Sequence, residues 1–163
     1  MRTTFNAPWS TSLKVISISV SLFLLAVTCI LPLPSSTQPL AWCIVRFLPV
    51  ILLVGCALFT VRGYEIENGI LLVPRLLWKT RIPLQSLTHA EHRPGPFGWA
   101  WRTCGNGGLY SFSGWYHQKP LGSFRALATR TTDAVILTFS DGKPIVVTPD
   151  DPARFVEEIS KSA

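Results

Sequence analysis

The stretch that decides the fold of the C-terminal part is VILTFSDGKPIVVTPDDPARFVEEI, residues 135–159. It begins with an apolar run, meets an Asp-Gly pair at 141–142 and returns through KPIVVT, a pattern typical of a β-hairpin. The end of the stretch has a helix pattern and not a strand pattern. Asp150 or Asp151 is a candidate helix N-cap, and Pro152 suits a first helical position. The stretch therefore predicts two strands followed by an amphipathic helix that can cap the open end of a barrel.

The residues before this stretch continue the strand pattern. Residues 64–77 (YEIENGILLVPRLL) carry an Asn-Gly pair between apolar runs, which is the strongest short-range hairpin signal. Segments at 78–82, 84–90, 122–130 and 134–140 indicate further short strands. About seven strands at fairly even spacing favour a small antiparallel barrel or sandwich.

The order of these motifs resembles that of bacterial PH-like (pleckstrin-homology-like) domains of small membrane proteins. The matching segments are YEIENG-ILLVPRLLWKTRIPL, R-x-x-G-x-G-G-L-Y-x-x-x-G-W, LGSFRALATR and VILTFSDGKPIVVTPDDPARFVEEI. The resemblance covers residues 63–162 and implies a β-barrel of seven antiparallel strands closed by a C-terminal helix. It also implies a binding or scaffolding module, neither an enzyme nor a protein with a cofactor. The turn after the first strand has no Lys or Arg, so a phosphoinositide pocket of the common PH type is not expected.

Two apolar segments precede this domain. Residues 13–33 and 40–61 are each long enough for a transmembrane helix, which needs roughly 20 mostly apolar residues. The short, proline-rich turn PSSTQP at 34–39 separates them, so the prediction is a membrane hairpin. We expect one N-terminal region, 1–62, and one PH-like domain, 63–163.

Charges around the hairpin predict its orientation. Arg2 and Lys14 precede the first helix, Arg62 follows the second, and the turn has no Lys or Arg. By the positive-inside rule, both termini and the domain lie in the cytoplasm. A cleaved signal peptide is the alternative for the first segment, but its apolar core is long and no clean cleavage site follows.

Arg46 is a charge within the second apolar segment, where a charge is costly. It lies about two turns from the outer end of the helix, so its guanidinium can snorkel to the interface. The alternative is contact with a membrane helix of a partner.

The glycine-rich segment 102–116 (RTCGNGGLYSFSGWY) looks like a ligand loop but lacks the residues of a phosphate-binding motif. A P-loop requires Gly-Lys-Ser/Thr, and Tyr110 stands where a dinucleotide fingerprint needs its third glycine. The glycines then serve positive φ angles, bulges or tight bends beside aromatic residues. Anion binding at Arg102 and the loop amides is the alternative.

A Trp- and Arg-rich segment at 93–102 is the candidate interaction surface. Tryptophan favours membrane interfaces, and Trp and Arg are common at protein hot spots. The alternative is a loop folded onto the domain's own core. The candidate contact residues for a partner or the membrane are Lys79, Arg81, Phe97, Trp99, Trp101 and Arg102.

Other classes of function lack support in the sequence. The net charge of +6 is not a dense basic stripe, so nucleic-acid binding is not expected. The four cysteines have no zinc-like spacing, and neither a metal site nor a complete catalytic set is identifiable.

These patterns predict a non-catalytic binding or scaffolding protein at the inner face of the cytoplasmic membrane. Its expected partners are the bilayer and either another protein or a second copy of the chain. The alternative is an assembly subunit of a membrane complex that acts through its hairpin, with Arg46, Gly55 and Ala57 as contacts.

Overall fold

The chain forms two apolar helices and a β-rich domain with a C-terminal helix. The computed structural model describes residues 2–31, 39–94, 100–119 and 121–162. The helices are α1 (Thr11–Ile30), α2 (Pro39–Leu58) and α3 (Pro152–Ser162). The strands are β1 (Arg2–Asn6), β2 (Gly63–Glu67), β3 (Ile70–Pro74), β4 (Lys79–Pro83), β5 (Leu87–Arg93), β6 (Trp101–Gly107), β7 (Phe112–Gln118), β8 (Gly122–Ala128), β9 (Ala134–Phe139) and β10 (Ile145–Val147).

The strands make two separate sheets. Sheet A has the order β1-β2-β3-β4, and sheet B has the order β5-β9-β10-β8-β7-β6. All neighbours are antiparallel except β8 and β10, which are parallel. The predicted order is therefore confirmed: a pair of apolar helices, then a β-rich domain, then a C-terminal helix. The described residues contain ten strands, however, and not about seven.

The predicted closed barrel is wrong for the described part of the chain. β4 and β5 follow each other along the chain but lie in different sheets, and neither sheet closes on itself. The two sheets instead share one apolar core, in which Tyr64 and Leu71 of sheet A meet Leu127 and Val135 of sheet B. The Tyr64 hydroxyl ties the sheets together, because it donates to the Leu127 carbonyl at 2.7 Å.

Helix α3 covers this core. Phe155 and Ile159 are fully buried within it, as the amphipathic pattern predicts. The N-cap is Asp151, whose carboxylate accepts from the Arg154 amide at 3.1 Å. Asp150 has another role: its carboxylate accepts from the backbone amide of Asn6 at 3.1 Å and from the Asn6 side chain at 3.0 Å.

The N-terminal strand β1 belongs to the same sheet as β2, although the two apolar helices separate them along the chain. Arg2 lies opposite Glu67, and Asn6 lies opposite Gly63. Glu65 is buried and is paired with Arg2 and Lys79, each at 2.8 Å. The helices are therefore inserted between two adjacent strands of one sheet. The expected boundary at residue 62 therefore does not separate the N-terminal residues from the domain, because β1 is a strand of its sheet A.

Candidate functional site at the junction of helices and domain

A cleft of about 810 Å³ lies where α2 meets sheet B. One wall is apolar and consists of residues from the last two turns of α2, including Ile51, Leu52 and Gly55. The other wall comes from β6, β7 and β8, with Trp115 and Arg125 among its residues. The cleft thus brings an apolar helix surface and cationic side chains together.

Arg75 is the most buried charged residue of the cleft, with 5% of its surface exposed. Its Nε donates to the Thr80 hydroxyl at 3.0 Å, and its Nη1 donates to the carbonyl of Phe59 at the end of α2. Its guanidinium also lies 5.5 Å from the centre of the Phe59 ring. Within the described residues no carboxylate pairs with Arg75. Burial, together with the charge of Arg125, lowers the pKa of Arg75.

Arg125 reaches the same cleft from β8. It lies opposite Trp115 of β7, so both side chains stand on the face of sheet B that faces α2. Lys143 does not line the cleft, but its Nζ lies 4.9 Å from the centre of the Trp115 ring. No ion pair joins Arg125 or Lys143 to an acidic group in the described ranges. The cleft is consequently positive, with no internal counter-ion there.

The glycine-rich segment forms a β-hairpin, and its glycines shape one wall of the cleft. Gly105 and Gly114 lie directly opposite each other on β6 and β7, with φ values of 114° and 147°. A Cβ atom on Gly114 would come within 2.7 Å of the Cα of Gly105. The ladder shifts register between Arg102 and Cys104. The prediction that these glycines serve positive φ and a bulge is confirmed.

The tip of this hairpin contacts the N-terminal half of α1 and the residue that follows α2. The Tyr110 amide donates to the Ser17 hydroxyl at 2.9 Å, and the Tyr110 and Ser21 hydroxyls are 2.7 Å apart. The Ser111 hydroxyl donates to the Phe59 carbonyl at 3.2 Å. The segment that resembles a ligand loop therefore attaches the domain to both helices.

A second apolar element lies beside the end of α2. The β3–β4 turn exposes Leu76, Leu77 and Trp78, and Leu77 is 75% exposed. The Trp78 ring packs edge-on against Phe59, the residue that follows α2, at 5.1 Å between ring centres. Sequence reasoning missed this apolar tip, residues 76–78. The available signal was the run Leu-Leu-Trp in the turn of a hairpin, where polar residues are usual.

The predicted contact residues of β4 occupy an outer strand of sheet A. Lys79 is committed to its ion pair with buried Glu65. Arg81 is exposed and has no ion pair within the described residues. Neither side chain is part of the cleft.

The predicted Trp- and Arg-rich surface is only partly visible, because Phe97 and Trp99 lie outside the described residues. Trp101 is 75% exposed at the start of β6, the outermost strand of sheet B. Trp101 is therefore not a core residue. Arg102 folds over Gly107, where an added Cβ would meet its guanidinium carbon at 3.1 Å.

Arg46 has a partner within its own hairpin. Its Nη1 donates to the carbonyl of Leu31, the C-cap residue of α1. A cation at a helix C-terminus is favourable because it satisfies the last carbonyls and the helix dipole. The guanidinium of Arg46 therefore reaches toward the turn between the two helices, as expected for a side chain that snorkels to the interface.

The described residues contain no group of three His, Cys, Asp or Glu side chains that could hold a metal ion. Comparison with known families gives one match: a family model described as Bacterial PH domain matches residues 62–163. No curated protein and no solved structure is similar enough to the chain to count as a match.

Proposed function

Because this chain belongs to the bacterial PH domain family, we propose that it is a non-catalytic binding module, held at the inner face of the cytoplasmic membrane by α1 and α2. PH domains are generally non-catalytic, and the cleft carries arginines and apolar groups without a nucleophile paired to a base. The module has two binding faces in this proposal, one toward the bilayer and one toward a protein partner.

The surface of the helices supports insertion into a bilayer. Both are long and apolar enough to cross a membrane, and only 17% and 11% of their apolar windows are buried. A core helix of a soluble domain would be mostly buried. Such a large exposed apolar surface is stable in lipid and not in water.

The single observation that carries the proposal is the pairing of β1 with β2 across the helices. Because β1 precedes α1 and β2 follows α2, both ends of the hairpin lie on one side of the membrane. A signal peptide removed after α1 would take away a strand of sheet A. Arg2, Lys14 and Arg62 flank the hairpin on this side, which supports a cytoplasmic domain.

The contact between the β6–β7 tip and α1 supports a domain that touches the bilayer. Ser21, which meets Tyr110, lies ten residues beyond Thr11, or about 15 Å along α1. On the same part of α1, Val15 and Ile18 expose apolar side chains. Lipid that covers these side chains also reaches the level of Ser21, so in this proposal the tip of the β6–β7 hairpin contacts the lipid.

The partner face in this proposal consists of exposed residues on the outer strands of the two sheets that do not line the cleft. Arg81 on β4 and Trp101 on β6 are exposed there, and exposed outer strands offer unpaired backbone groups for recognition. These two residues remain the best candidates for partner contact. Lys79 is less suitable because its charge already neutralises Glu65.

The experiment is photo-crosslinking of the full-length protein in native membranes after an alkaline carbonate wash. A photoreactive amino acid replaces Arg81 or Trp101, and the matched control replaces Ser160, an exposed residue of α3. We expect the protein to stay with the membranes and crosslink from 81 or 101 but not from 160. Release by carbonate, or equal crosslinking from all three positions, would contradict the proposal.

A further inference from the structure

We propose that the cleft between α2 and sheet B binds one anionic phospholipid. Its phosphate lies between Arg75 and Arg125, and an acyl chain lies along Ile51 and Leu52. The inference rests on the proposed function, since it requires α2 to be in a bilayer. It names the class of ligand that the bilayer-facing side of the module binds and the site where the ligand lies.

The positive charges of the cleft favour binding of an anion. Arg75 is almost completely buried and lines the cleft together with Arg125, yet it has no carboxylate partner within the described part of the chain. Desolvated charge is costly unless an opposite charge compensates it. The guanidinium of Arg75 is also held in place by Thr80 and Phe59, so it is preorganised for a phosphate.

The size and the apolar wall of the cleft favour a ligand with an apolar part. Its volume of about 810 Å³ falls within the usual range of ligand sites, about 300–1,000 Å³. The helix wall is apolar, and Ile51 and Leu52 continue onto the exposed surface of α2. A small soluble anion would leave this wall uncovered, whereas an acyl chain covers it.

The cleft lies where a lipid of the bilayer can enter it. It adjoins the last two turns of α2, the end that meets the domain, and in the proposed orientation this end lies where the bilayer changes from apolar to polar. Phospholipid phosphates lie at this depth. Trp115, which forms part of the cleft, is a residue type that favours this interface.

Native mass spectrometry of the full-length protein, released from nanodiscs of equal parts phosphatidylglycerol and phosphatidylcholine with identical chains, tests the inference. Arg125→Gln removes a charge that makes no side-chain hydrogen bond or ion pair within the described residues. Gly55→Leu fills the cleft, because a Cβ at Gly55 has no atom within 4 Å. Arg81→Gln is the charge-matched control outside the cleft.

We expect one phosphatidylglycerol to remain on the wild-type protein and on Arg81→Gln. Its occupancy should fall at least about tenfold in Arg125→Gln and in Gly55→Leu, in line with loss of a charge-assisted contact or of the space itself. Equal retention of both lipids, or wild-type retention in both cleft variants, would overturn the inference and leave the proposed function standing. Failure of the protein to enter nanodiscs would overturn the proposed function as well.

Discussion

At the scale of single residues, Gly114 explains why the β6–β7 hairpin is rich in glycine. Its φ of 147° and its approach to Gly105 leave no room for a side chain. We predict that Gly114→Ala lowers the free energy of unfolding by about 1–3 kcal/mol, or more if the strands separate. Chemical denaturation in detergent measures the change. Gly142→Ala is the control, because its Cβ would meet nothing within 4 Å; an equal loss there would contradict the explanation.

Glu65 is the residue that makes the fold sensitive to acid. Burial alone would raise its pKa, but hydrogen bonds from Lys79 and Arg2 outweigh burial and the pKa of Glu65 is lowered. A lowered pKa in the folded state gives stability that is present above the unfolded value, about 4.3, and is lost as pH falls through the folded value.

We therefore predict that Glu65→Gln destabilises the protein at pH 7 and flattens the acid side of its stability profile below about pH 4. Thermal unfolding of the detergent-solubilised protein across pH 2–7 measures both effects, with Glu67→Gln on the same strand as the control. If Glu65→Gln keeps the full acid dependence of the wild type, another carboxylate is responsible.

At the scale of elements, the contact between the β6–β7 tip and α1 depends on Ser17. Its buried hydroxyl accepts from the Tyr110 amide, so Ser17→Ala leaves this donor without its partner. We predict a loss of about 1–3 kcal/mol and faster hydrogen exchange at 108–111. The control is Thr28→Ala, whose hydroxyl donates to its own helix at the Leu24 carbonyl. Unchanged exchange in Ser17→Ala would show that the tip is held by other contacts.

Local signals made several elements predictable from sequence. Asn68 and Gly69 have φ values of 50° and 72°, as a tight hairpin turn requires. The Asp-Gly turn at 141–142 joins antiparallel β9 and β10, and Asp151 with Pro152 begins α3. Each signal acts within a few residues, which is why the linear sequence is sufficient to recognise it.

Other elements depend on contacts between distant residues, and these were not predictable. β1 forms only against β2, and the whole hairpin lies between their sequences. Arg75 and Arg125 come together because sheets A and B share a core, and nothing in either local segment indicates this. The two-sheet arrangement escaped prediction for the same reason, since strand patterns do not specify where a sheet ends.

At the scale of the whole molecule, the helices and the domain form one unit through three connections. β1 pairs with β2, Tyr110 contacts α1, and Arg75 and Ser111 both contact the Phe59 carbonyl at the end of α2. The domain is therefore not a module on a loose tether. In the proposed membrane arrangement, its apolar tip, residues 76–78, lies on the side where the helices enter the bilayer.

The depth of the apolar tip is the measurement that tests the central claim most directly. Full-length protein without its native cysteines carries a fluorophore at Leu77→Cys or at Gln85→Cys and is reconstituted into liposomes. The two positions flank opposite ends of β4, about 17 Å apart by strand length. We predict quenching by lipid-attached spin labels at Leu77 and by aqueous iodide at Gln85. Equal iodide quenching at both positions would contradict a domain held against the membrane.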